Sequence, residues 1–211
     1  MKKPVIYFDW DGTLGDSMDL CLGEIRLALK RIGHAEVEEE KIRACNGPTH
    51  EESVVIMGME GEEGEAFLRE RRRAERELIP VLLRTYPGVE EMLRTLQQHA
   101  DLAIVSNGQK DYIELSVATF HLTDCFVRIQ ASMPGKGKTE VLRSMLDDMQ
   151  PSRAILVGDR RTDFEAGIGN HLLTMAATYG YGTDEEYALA DIRVSSVEEM
   201  REKLLEWCRE A

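Results

Sequence analysis

Short apolar runs that alternate with helical patterns constrain the fold of this chain more than any other feature. Apolar residues mark one helical stripe from Val89 to Leu96 and another from Val141 to Leu146. Strands that alternate with helices imply a parallel sheet with helices on both faces, and runs without polar alternation are typical of strands buried on both sides. We therefore predict an α/β fold with strands at Val5–Phe8, Leu102–Val105, Phe126–Gln130, Ala154–Val157, Leu173–Ala177 and Ile192–Val194.

One long segment interrupts this alternation with helical periodicity and no convincing strand. An apolar stripe runs from Leu20 to Ile32, and a further helix is expected at Glu51–Met57. The charged run from Glu60 to Glu77 is typical of a solvated helix with i,i+4 ion pairs. A helical insert beside a catalytic edge is placed to act as a lid. We therefore predict a helical cap domain at residues 16–85 and a core domain formed by residues 1–15 and 86–211.

The composition limits the classes of partner. The chain has 211 residues, of which 43% are hydrophobic and 31% charged, as in ordinary soluble globular proteins. Its net charge of -13 argues against nucleic acid polymers and anionic membranes as partners. The apolar residues near the N-terminus are too few for a signal peptide or a membrane span. Four cysteines without CxxC or Cys-His spacing favour reduced thiols, so we expect a cytoplasmic protein. We also expect this protein to be a monomer or a weak homodimer.

Two aspartates, one residue apart, end the first apolar run. Asp9 and Asp11 flank Trp10, and Gly12-Thr13 follows as a turn. Alternate residues of an extended chain share one side, and open α/β sheets place their active sites at the carboxyl edge of such strands. Carboxylates this close repel each other unless a cation or a shared proton intervenes. The pair suggests a metal-assisted nucleophile with an acid or base beside it, the alternative being a structural turn.

Two later segments carry groups that suit phosphate. Ser106, Asn107 and Gly108 follow a predicted strand. The Ser106 hydroxyl can donate to a phosphate oxygen, and the amides after it open a helix that favours anions, although an ordinary helix cap would look the same. Lys138 precedes a helix and can bring a cation to a phosphate dianion, with Lys136 as its rival for that role.

Another predicted strand ends in acidic residues. Asp159 lies at the end of the strand, and Asp163 follows four residues later, on the same face if a helical turn begins there. Gly158 lets the backbone approach closely. Oxygen ligands of this kind suit Mg²⁺, whereas the scattered histidines do not favour zinc.

Together these segments resemble the haloacid dehalogenase superfamily, specifically its phosphatase branch and the phosphoglycolate phosphatase-like members. The resemblance implies a Rossmann-like parallel sheet core, the haloacid dehalogenase fold, with an inserted four-helix cap domain. It runs over nearly the whole chain, and the order and spacing of its motifs agree. The segments that carry it are DWDGTLGDS at Asp9–Ser17, SNG at Ser106–Gly108, Lys138 before its helix, GDRRTD at Gly158–Asp163, and Asn46-Gly47-Pro48-Thr49 in the insert.

The resemblance also implies roles for single residues. Asp9 would be the nucleophile that forms an aspartyl-phosphate, and Asp11 would protonate the leaving oxygen and then activate water. Ser106 and Lys138 would hold the phosphoryl oxygens. The further phosphate-binding positions are Thr13, Asn107 and Gly108. The Mg²⁺ ligands would be Asp9, the Asp11 backbone carbonyl and Asp159, with Asp163 as a ligand or a neighbour of the ligands.

The expected substrate is a small phosphorylated metabolite. The Asn46–Thr49 segment favours phosphoglycolate, with Arg43, Thr49 and His50 as candidates for contacting the part beyond the phosphate. Arg43 would pair with a carboxylate through two hydrogen bonds. Two alternatives stay open: a sugar phosphomutase similar to β-phosphoglucomutase, and a nucleoside monophosphate phosphatase.

Overall fold

The centre of the molecule is a six-stranded parallel sheet, as the apolar runs predict. The computed structural model describes residues 3–131, 133 and 135–210. The strand order across the sheet is β5-β4-β1-β6-β7-β8, and every pairing in it is parallel. The strands in the described residues are β1 (Val5–Phe8), β2 (Gly15–Asp16), β3 (Arg84–Thr85), β4 (Asp101–Val105), β5 (Arg128–Gln130), β6 (Ala154–Gly158), β7 (Leu173–Ala177) and β8 (Ile192–Val194).

Five of the six predicted strands agree with the structure to within one residue. The sixth begins at Arg128 rather than Phe126, because a short 3₁₀ turn at Thr123–Cys125 precedes it and Phe126 completes that turn. The sequence does not predict strands β2 and β3, because each has only two residues and neither carries an apolar run.

Helices connect the strands and cover both faces of the sheet. Among the described residues, no helix is both long enough and apolar enough to cross a lipid bilayer. The α-helices of this part of the chain are α1 (Met18–Ile32), α2 (Glu39–Arg43), α3 (His50–Met57), α4 (Gly61–Leu82), α5 (Val89–Leu96), α6 (Lys110–Thr119), α7 (Lys138–Met149), α8 (Arg161–Gly169), α9 (Asp184–Tyr187) and α10 (Val197–Arg209).

Alternate residues of the central strand face two separate apolar layers. Ile6 and Phe8 join the larger cluster, to which α5, α6 and α10 contribute. Val5 and Tyr7 point to the opposite face and pack with residues of α7 and α8. Burying one large apolar side chain in such a layer stabilises the fold by about 1.5–3 kcal/mol. Both layers together hold β1 rigidly, and β1 carries the residues discussed below.

The segment between β2 and β3 is helical. We call residues 16–85 the helical insert. The two strands pair antiparallel, with Gly15 opposite Thr85 and Asp16 opposite Arg84, so the chain enters and leaves the insert through one ribbon. Within the insert, α1 packs along α4, and an apolar cluster includes Ile25, Leu29, Ile42, Met57, Met59 and Phe67.

The charged run of α4 is only partly a solvated surface. The prediction of a helix is confirmed, but the prediction that the run is solvated is wrong along one face. Phe67, Arg71, Ala74 and Glu75 are all buried. Their spacing of three to four residues places them on one side of the helix, which faces α1 and the cavity described next.

Candidate active site

The sheet brings three predicted site residues to one edge. Asp9 follows β1, Ser106 follows β4 and Asp159 follows β6, and β4 and β6 are the two neighbours of β1. Backbone hydrogen bonds continue past the strand ends, from Asp9 N to Val157 O at 2.9 Å and from Ser106 N to Gln130 O at 3.0 Å. The chain order reverses beside β1, where α/β sheets form a crevice at their carboxyl edge.

A tight loop follows Asp9 and places Asp11 above the sheet. The Trp10 carbonyl accepts hydrogen bonds from three later amides, those of Thr13, Leu14 and Gly15. Gly12 has a φ of +77°, and a Cβ there would lie 2.1 Å from Asp159 Oδ2. Glycine is therefore required at this position, because the loop crosses directly over the Asp159 carboxylate.

The loop also fixes where Thr13 lies. Thr13 is fully buried, and its hydroxyl has no hydrogen-bond partner among the described residues. Its carbonyl accepts a hydrogen bond from the Tyr179 hydroxyl at 2.8 Å. The structure therefore places Thr13 inside the loop, away from the residues that line the cavity.

Three carboxylates converge beneath this loop. One oxygen from each of Asp9, Asp159 and Asp163 lies within 4.8 Å of the others, and all three residues are buried. Asp163 Oδ2 accepts hydrogen bonds from the amides of Asp159 and Arg160 at 3.2 and 3.0 Å. Asp159 Oδ2 accepts from the Tyr181 amide at 2.7 Å, whereas Asp159 Oδ1 is buried without a partner in the described chain. An orphaned carboxylate oxygen in such a group fits a divalent cation.

Lys138 supplies the cation that the structure does show in this cluster. Its Nζ lies 3.0 Å from Asp9 Oδ1 and 2.5 Å from Asp163 Oδ1, and its side chain is 2% exposed. The rival Lys136 is exposed. Of the two lysines, the structure brings only Lys138 to the acidic cluster.

Burial dominates the electrostatics of the cluster. Burial, reinforced by Asp163, raises the pKa of Asp9 to about 7, although Lys138 lowers it. Burial raises the pKa of Asp159 well above its ordinary value, and Asp163 and Asp9 add to the effect. One lysine therefore does not fully compensate the three acids, as expected for carboxylates that share a cation.

Asp11 has a partner that the sequence did not indicate. The Tyr112 hydroxyl donates to Asp11 Oδ1 at 2.5 Å. Burial raises the pKa of Asp11, and the hydrogen bond from Tyr112 opposes that rise. Tyr112 lies in the first turn of α6, and no motif or spacing marks it, because its approach depends on how α6 packs over the sheet edge.

The segment after β4 forms a turn rather than an immediate helix start. The Ser106 hydroxyl accepts a hydrogen bond from the Gly108 amide at 3.0 Å. The helix α6 begins only at Lys110, so the expectation that the amides next to Ser106 open a helix is wrong by a few residues. Asn107 reaches across to the insert and donates to the Gly47 carbonyl at 3.4 Å.

The insert closes over this edge and leaves a cavity. Arg160 Nη1 donates to the Asn46 carbonyl at 3.0 Å, which adds a second contact between the sheet side and the loop after α2. The cavity is lined from the sheet side by residues of the predicted site, namely Asp9, Asp11, Ser106, Asn107, Gly108 and also Tyr112.

The three predicted insert residues have different positions. His50 is 5% exposed and lines the cavity. Thr49 is instead the N-cap of α3, where its hydroxyl accepts from the Glu52 amide at 3.2 Å. Arg43 points to solvent with 47% of its side chain exposed and pairs with Glu39 at 2.7 Å. The structure therefore brings His50 to the cavity, but neither Arg43 nor Thr49.

The insert residues that line the cavity include three Glu and Arg side chains that the sequence did not single out. They are Glu24 of α1 and Arg71 and Glu75 of α4. A usable signal existed for Arg71, because it continues the spacing from Phe67 to Ala74 on the inward face of α4.

The fold and this site define an α/β enzyme whose acidic centre lies at the carboxyl edge of a parallel sheet, beneath a helical insert. The chain belongs to the haloacid dehalogenase-like hydrolase family, whose sequence profile matches residues 6–177. The family and the α/β fold predicted from the motifs are thus confirmed.

Individual relatives cover most of the chain. A phosphoglycolate phosphatase of Synechococcus elongatus is 25% identical over 188 residues, which are 88% of each chain. The tyrosine-protein kinase PtkA of Mycobacterium tuberculosis is 26% identical over 210 residues, which cover 95% of this chain and 72% of that protein. The crystal structure of a predicted phosphatase from Clostridium acetobutylicum superposes with a TM-score of 0.85 at 23% identity, over 98% of this chain and 100% of that one.

Proposed function

We propose that this hydrolase is a Mg²⁺-dependent phosphatase that hydrolyses a small phosphomonoester through an aspartyl-phosphate on Asp9. The observation that carries the proposal is that Asp9 and Asp11 line one cavity and that Lys138 forms an ion pair with Asp9. The family match and the phosphatases among the relatives support it.

The first half of the reaction transfers the phosphoryl group to the protein. A carboxylate oxygen of Asp9 attacks phosphorus, and the bond from phosphorus to the leaving oxygen breaks. Asp11 donates its proton to that oxygen. Burial raises the pKa of Asp11, which favours the protonated acid that this step needs, and Tyr112 holds the side chain in place.

The second half releases phosphate. Water attacks the phosphorus of the aspartyl-phosphate, Asp11 takes up the proton of the water, and the bond from phosphorus to Asp9 breaks. Asp9 returns as a carboxylate and Asp11 as an acid, so one turnover consumes one water. Closure by the helical insert, which we propose acts as a cap domain, limits the cavity to the water that attacks.

A positive charge and hydrogen-bond donors would hold the phosphate oxygens. Lys138 gives a positive charge beside Asp9, and Ser106 and Asn107 line the cavity with a hydroxyl and a side-chain amide, while Gly108 donates its backbone N–H to the Ser106 hydroxyl and so holds it in place. Such donors stabilise the charge that develops on the transferring group. Thr13 is buried within the loop that carries Asp11.

The acidic cluster fits Mg²⁺ on the chemistry of its donors. Asp9, Asp159 and Asp163 offer three oxygens within 4.8 Å of one another, and the Asp11 backbone carbonyl is the fourth oxygen we assign. Bound there, Mg²⁺ would neutralise charge on the acids and the phosphate. Asp159 Oδ1 is buried without a hydrogen-bond partner in the described part of the chain, and such an ion would satisfy it.

The finer identity of the substrate stays a prediction. Phosphoglycolate is favoured by the sequence resemblance and is the substrate named for the Synechococcus relative. Arg43, which was expected to pair with its carboxylate, instead points to solvent and pairs with Glu39. A sugar phosphomutase and a nucleoside monophosphate phosphatase remain alternatives. The cytoplasmic location and the monomeric or weakly dimeric state likewise stay predictions.

Phosphate release from an aryl phosphate tests the proposal. We expect turnover that requires Mg²⁺, stops on chelation and is abolished in Asp9→Asn, because an amide is a poor nucleophile. The matched control is Asp19→Asn, which changes an exposed aspartate of α1 and should keep full turnover. Full activity in excess chelator, or near-normal turnover of Asp9→Asn, would contradict the proposal.

A further inference from the structure

A segment after β7 lies between the acidic cluster and the start of the helical insert. We call residues 179–182 the tyrosine segment, after its two tyrosines, Tyr179 and Tyr181. A Cβ on Gly180 would overlap both the Gly12 carbonyl and the Asp159 side chain, so only glycine fits there. The backbone of this segment is therefore in close contact with the loop after β1 and with a predicted metal ligand.

The backbone of the tyrosine segment fixes one half of the Asp159 carboxylate. The Tyr181 amide donates to Asp159 Oδ2 at 2.7 Å. Asp159 is fully buried, and its other oxygen, Oδ1, has no hydrogen-bond partner among the described residues. The amide thus sets the orientation of the carboxylate, as neighbours of a metal ligand commonly do, and leaves Oδ1 for a cation.

The hydroxyl of the same residue holds the start of the insert. It accepts hydrogen bonds from the amides of Ser17 and Met18 at 2.7 and 3.0 Å. It also donates to Asp16 Oδ1 at 2.9 Å. A tyrosine hydroxyl can both donate and accept, and these three contacts use both abilities. All three partners lie where the chain passes from β2 into α1.

This hydroxyl takes the place of a local helix cap. The first amides of an α-helix have no partner within the helix, and a serine at the N-cap normally satisfies one of them. Ser17 is the N-cap of α1, yet its side chain forms no capping hydrogen bond. The Met18 amide is bonded instead to a tyrosine 163 positions later in the chain. A distant cap ties the start of the helix to another part of the fold, which a local cap would not do.

The tyrosine segment also contacts the exit of the insert. Tyr86 follows β3, and its ring packs edge-on against Tyr179 with the ring centroids 4.7 Å apart. The Tyr179 hydroxyl itself donates to the Thr13 carbonyl at 2.8 Å. The segment therefore touches the loop after β1, both ends of the insert, and Asp159.

We infer that Tyr181 is a positioning residue that couples Asp159 to the start of α1, so that cation binding at the acidic cluster and the orientation of the helical insert depend on each other. The cation is that of the proposed function, on which this inference rests. A cation on Asp159 fixes the carboxylate and with it the Tyr181 amide. The ring passes this constraint to α1, because a tyrosine side chain has only two rotatable bonds. Linkage makes the coupling reciprocal, so the insert position that the cation favours also raises the affinity for the cation.

Hydrogen exchange with and without Mg²⁺ measures this coupling in the full chain. The readout is the first turn of α1, residues 18–21, which contains no member of the acidic cluster. We expect saturating Mg²⁺ to slow the exchange of these amides in the wild type by about 5- to 150-fold, the usual range of coupling between two sites. Calorimetry on the same samples measures Mg²⁺ binding itself.

Removing single hydroxyls separates coupling from packing. Tyr181→Phe keeps the ring and the backbone amide on Asp159, so it should still bind Mg²⁺, but Mg²⁺ should lose most of its effect on α1. The matched control is Tyr179→Phe, which loses the hydroxyl bonded to Thr13 and should keep that effect.

A second variant tests the same link if Tyr181→Phe does not fold. Asp16 is exposed and accepts the proton of the Tyr181 hydroxyl, which orients the oxygen toward the α1 amides. Asp16→Ala should therefore reduce the effect of Mg²⁺ on α1 without disturbing the core.

Three results would overturn the inference. The first is that bound Mg²⁺ has no effect on α1 in the wild type. The second is an equal effect in the wild type and in Tyr181→Phe, or in Asp16→Ala used in its place, as expected of a tyrosine that only caps the helix. The third is loss of the effect in Tyr179→Phe as well, which would assign it to the packing of the whole segment.

Phosphate release by the wild-type protein tests the proposed function separately. If phosphate is released but α1 does not respond to Mg²⁺, the coupling fails and the phosphatase proposal stands. If α1 responds through the Tyr181 hydroxyl and no phosphomonoester is hydrolysed, the coupling stands and the phosphatase proposal fails. Failure of Mg²⁺ to bind would contradict both.

Discussion

Replacing Lys138 by methionine tests the electrostatic account of the acidic cluster. Methionine keeps most of the length and apolar stem of lysine but removes the charge. In the structure this charge lies 3.0 Å from Asp9 and 2.5 Å from Asp163 and is almost completely buried. The variant would leave three buried carboxylates within 4.8 Å of one another without a protein cation.

The expected loss of stability is large. Removing one partner of a buried ion pair lowers the free energy of unfolding by about 3–5 kcal/mol. For a chain of this size that corresponds to a fall of roughly 6–20 °C in melting temperature. The same change at exposed Lys136 should alter the free energy of unfolding by less than about 0.5 kcal/mol. Activity should follow the same order, with Lys136→Met close to wild type.

Urea unfolding measures the free energy of unfolding of Lys138→Met, Lys136→Met and the wild type. The measurement is made at pH 8 in chelator, so that no bound metal contributes. The pH is chosen because burial and Asp163 raise the pKa of Asp9 to about 7, so Asp9 is mostly ionised at pH 8. If the two variants differ by less than about 0.5 kcal/mol, the margin set for a surface change, the buried ion pair contributes little and the reasoning is wrong. Equal activity of both would also reject Lys138 as the phosphate-binding lysine.

Three further predictions follow from individual contacts. Tyr112→Phe should lower kcat about 10- to 100-fold, because Asp11 loses a hydrogen bond worth about 1.5–3 kcal/mol. Tyr7→Phe should not, because the Tyr7 hydroxyl meets the Met149 sulfur at 3.6 Å and lies outside the candidate site. Mg²⁺ at about 100 times its dissociation constant should stabilise the wild type by about 2.7 kcal/mol, and Asp159→Asn should lose most of this gain, as thermal unfolding would show. Burial raises the pKa of Glu75 from 4.5 to about 8, so the native state keeps a proton that the unfolded chain releases. Stability should therefore fall as pH rises from about 5 through 8, and less steeply in Glu75→Gln.

Each of these predictions has a result that contradicts it. Equal kcat values for the two phenylalanine variants would show that the tyrosine hydroxyl does not position Asp11. If Mg²⁺ stabilised Asp159→Asn as much as the wild type, the ion would bind at another site. Parallel stability curves for wild type and Glu75→Gln between pH 6.5 and 8 would mean that this carboxyl is already ionised in the native protein. Arg71 and His50 are present in both of those proteins, so the comparison isolates Glu75.

The sheet and its acidic edge could be predicted because they depend on local sequence. A buried parallel strand is a continuous apolar run, and the residue after Phe8 or Gly158 must lie at the edge wherever the strand ends. Lys138 was found for a similar reason, since it opens the helix that returns from the sheet edge. The sequence does not decide between Lys138 and Lys136, because two lysines so close in sequence differ only in the direction that the folded chain gives them.

The contacts made by the insert could not be predicted in the same way. The resemblance of the Gly47-Pro48-Thr49 segment makes Arg43 and Thr49 candidates, but α2 turns Arg43 to solvent and α3 uses Thr49 as its cap. Arg71 and Glu75 were hidden in a run of charges whose composition indicates a surface. Only their place on the Phe67 face of α4 distinguishes them, and a charged residue at an inward position is visible only when periodicity is given more weight than composition.

This contrast separates the residues of the sheet edge from those of the insert. Asp9, Asp159 and Lys138 belong to elements that the sheet places, so the reaction they support is tied to the fold. Glu24 and Arg71 belong to two helices of the insert that meet only through their own packing. Replacing this ion pair by apolar residues of similar volume need not destabilise the insert, and it leaves the sheet edge untouched. We therefore expect a variant with both replacements to keep the sheet edge, and with it the reaction proposed for Asp9.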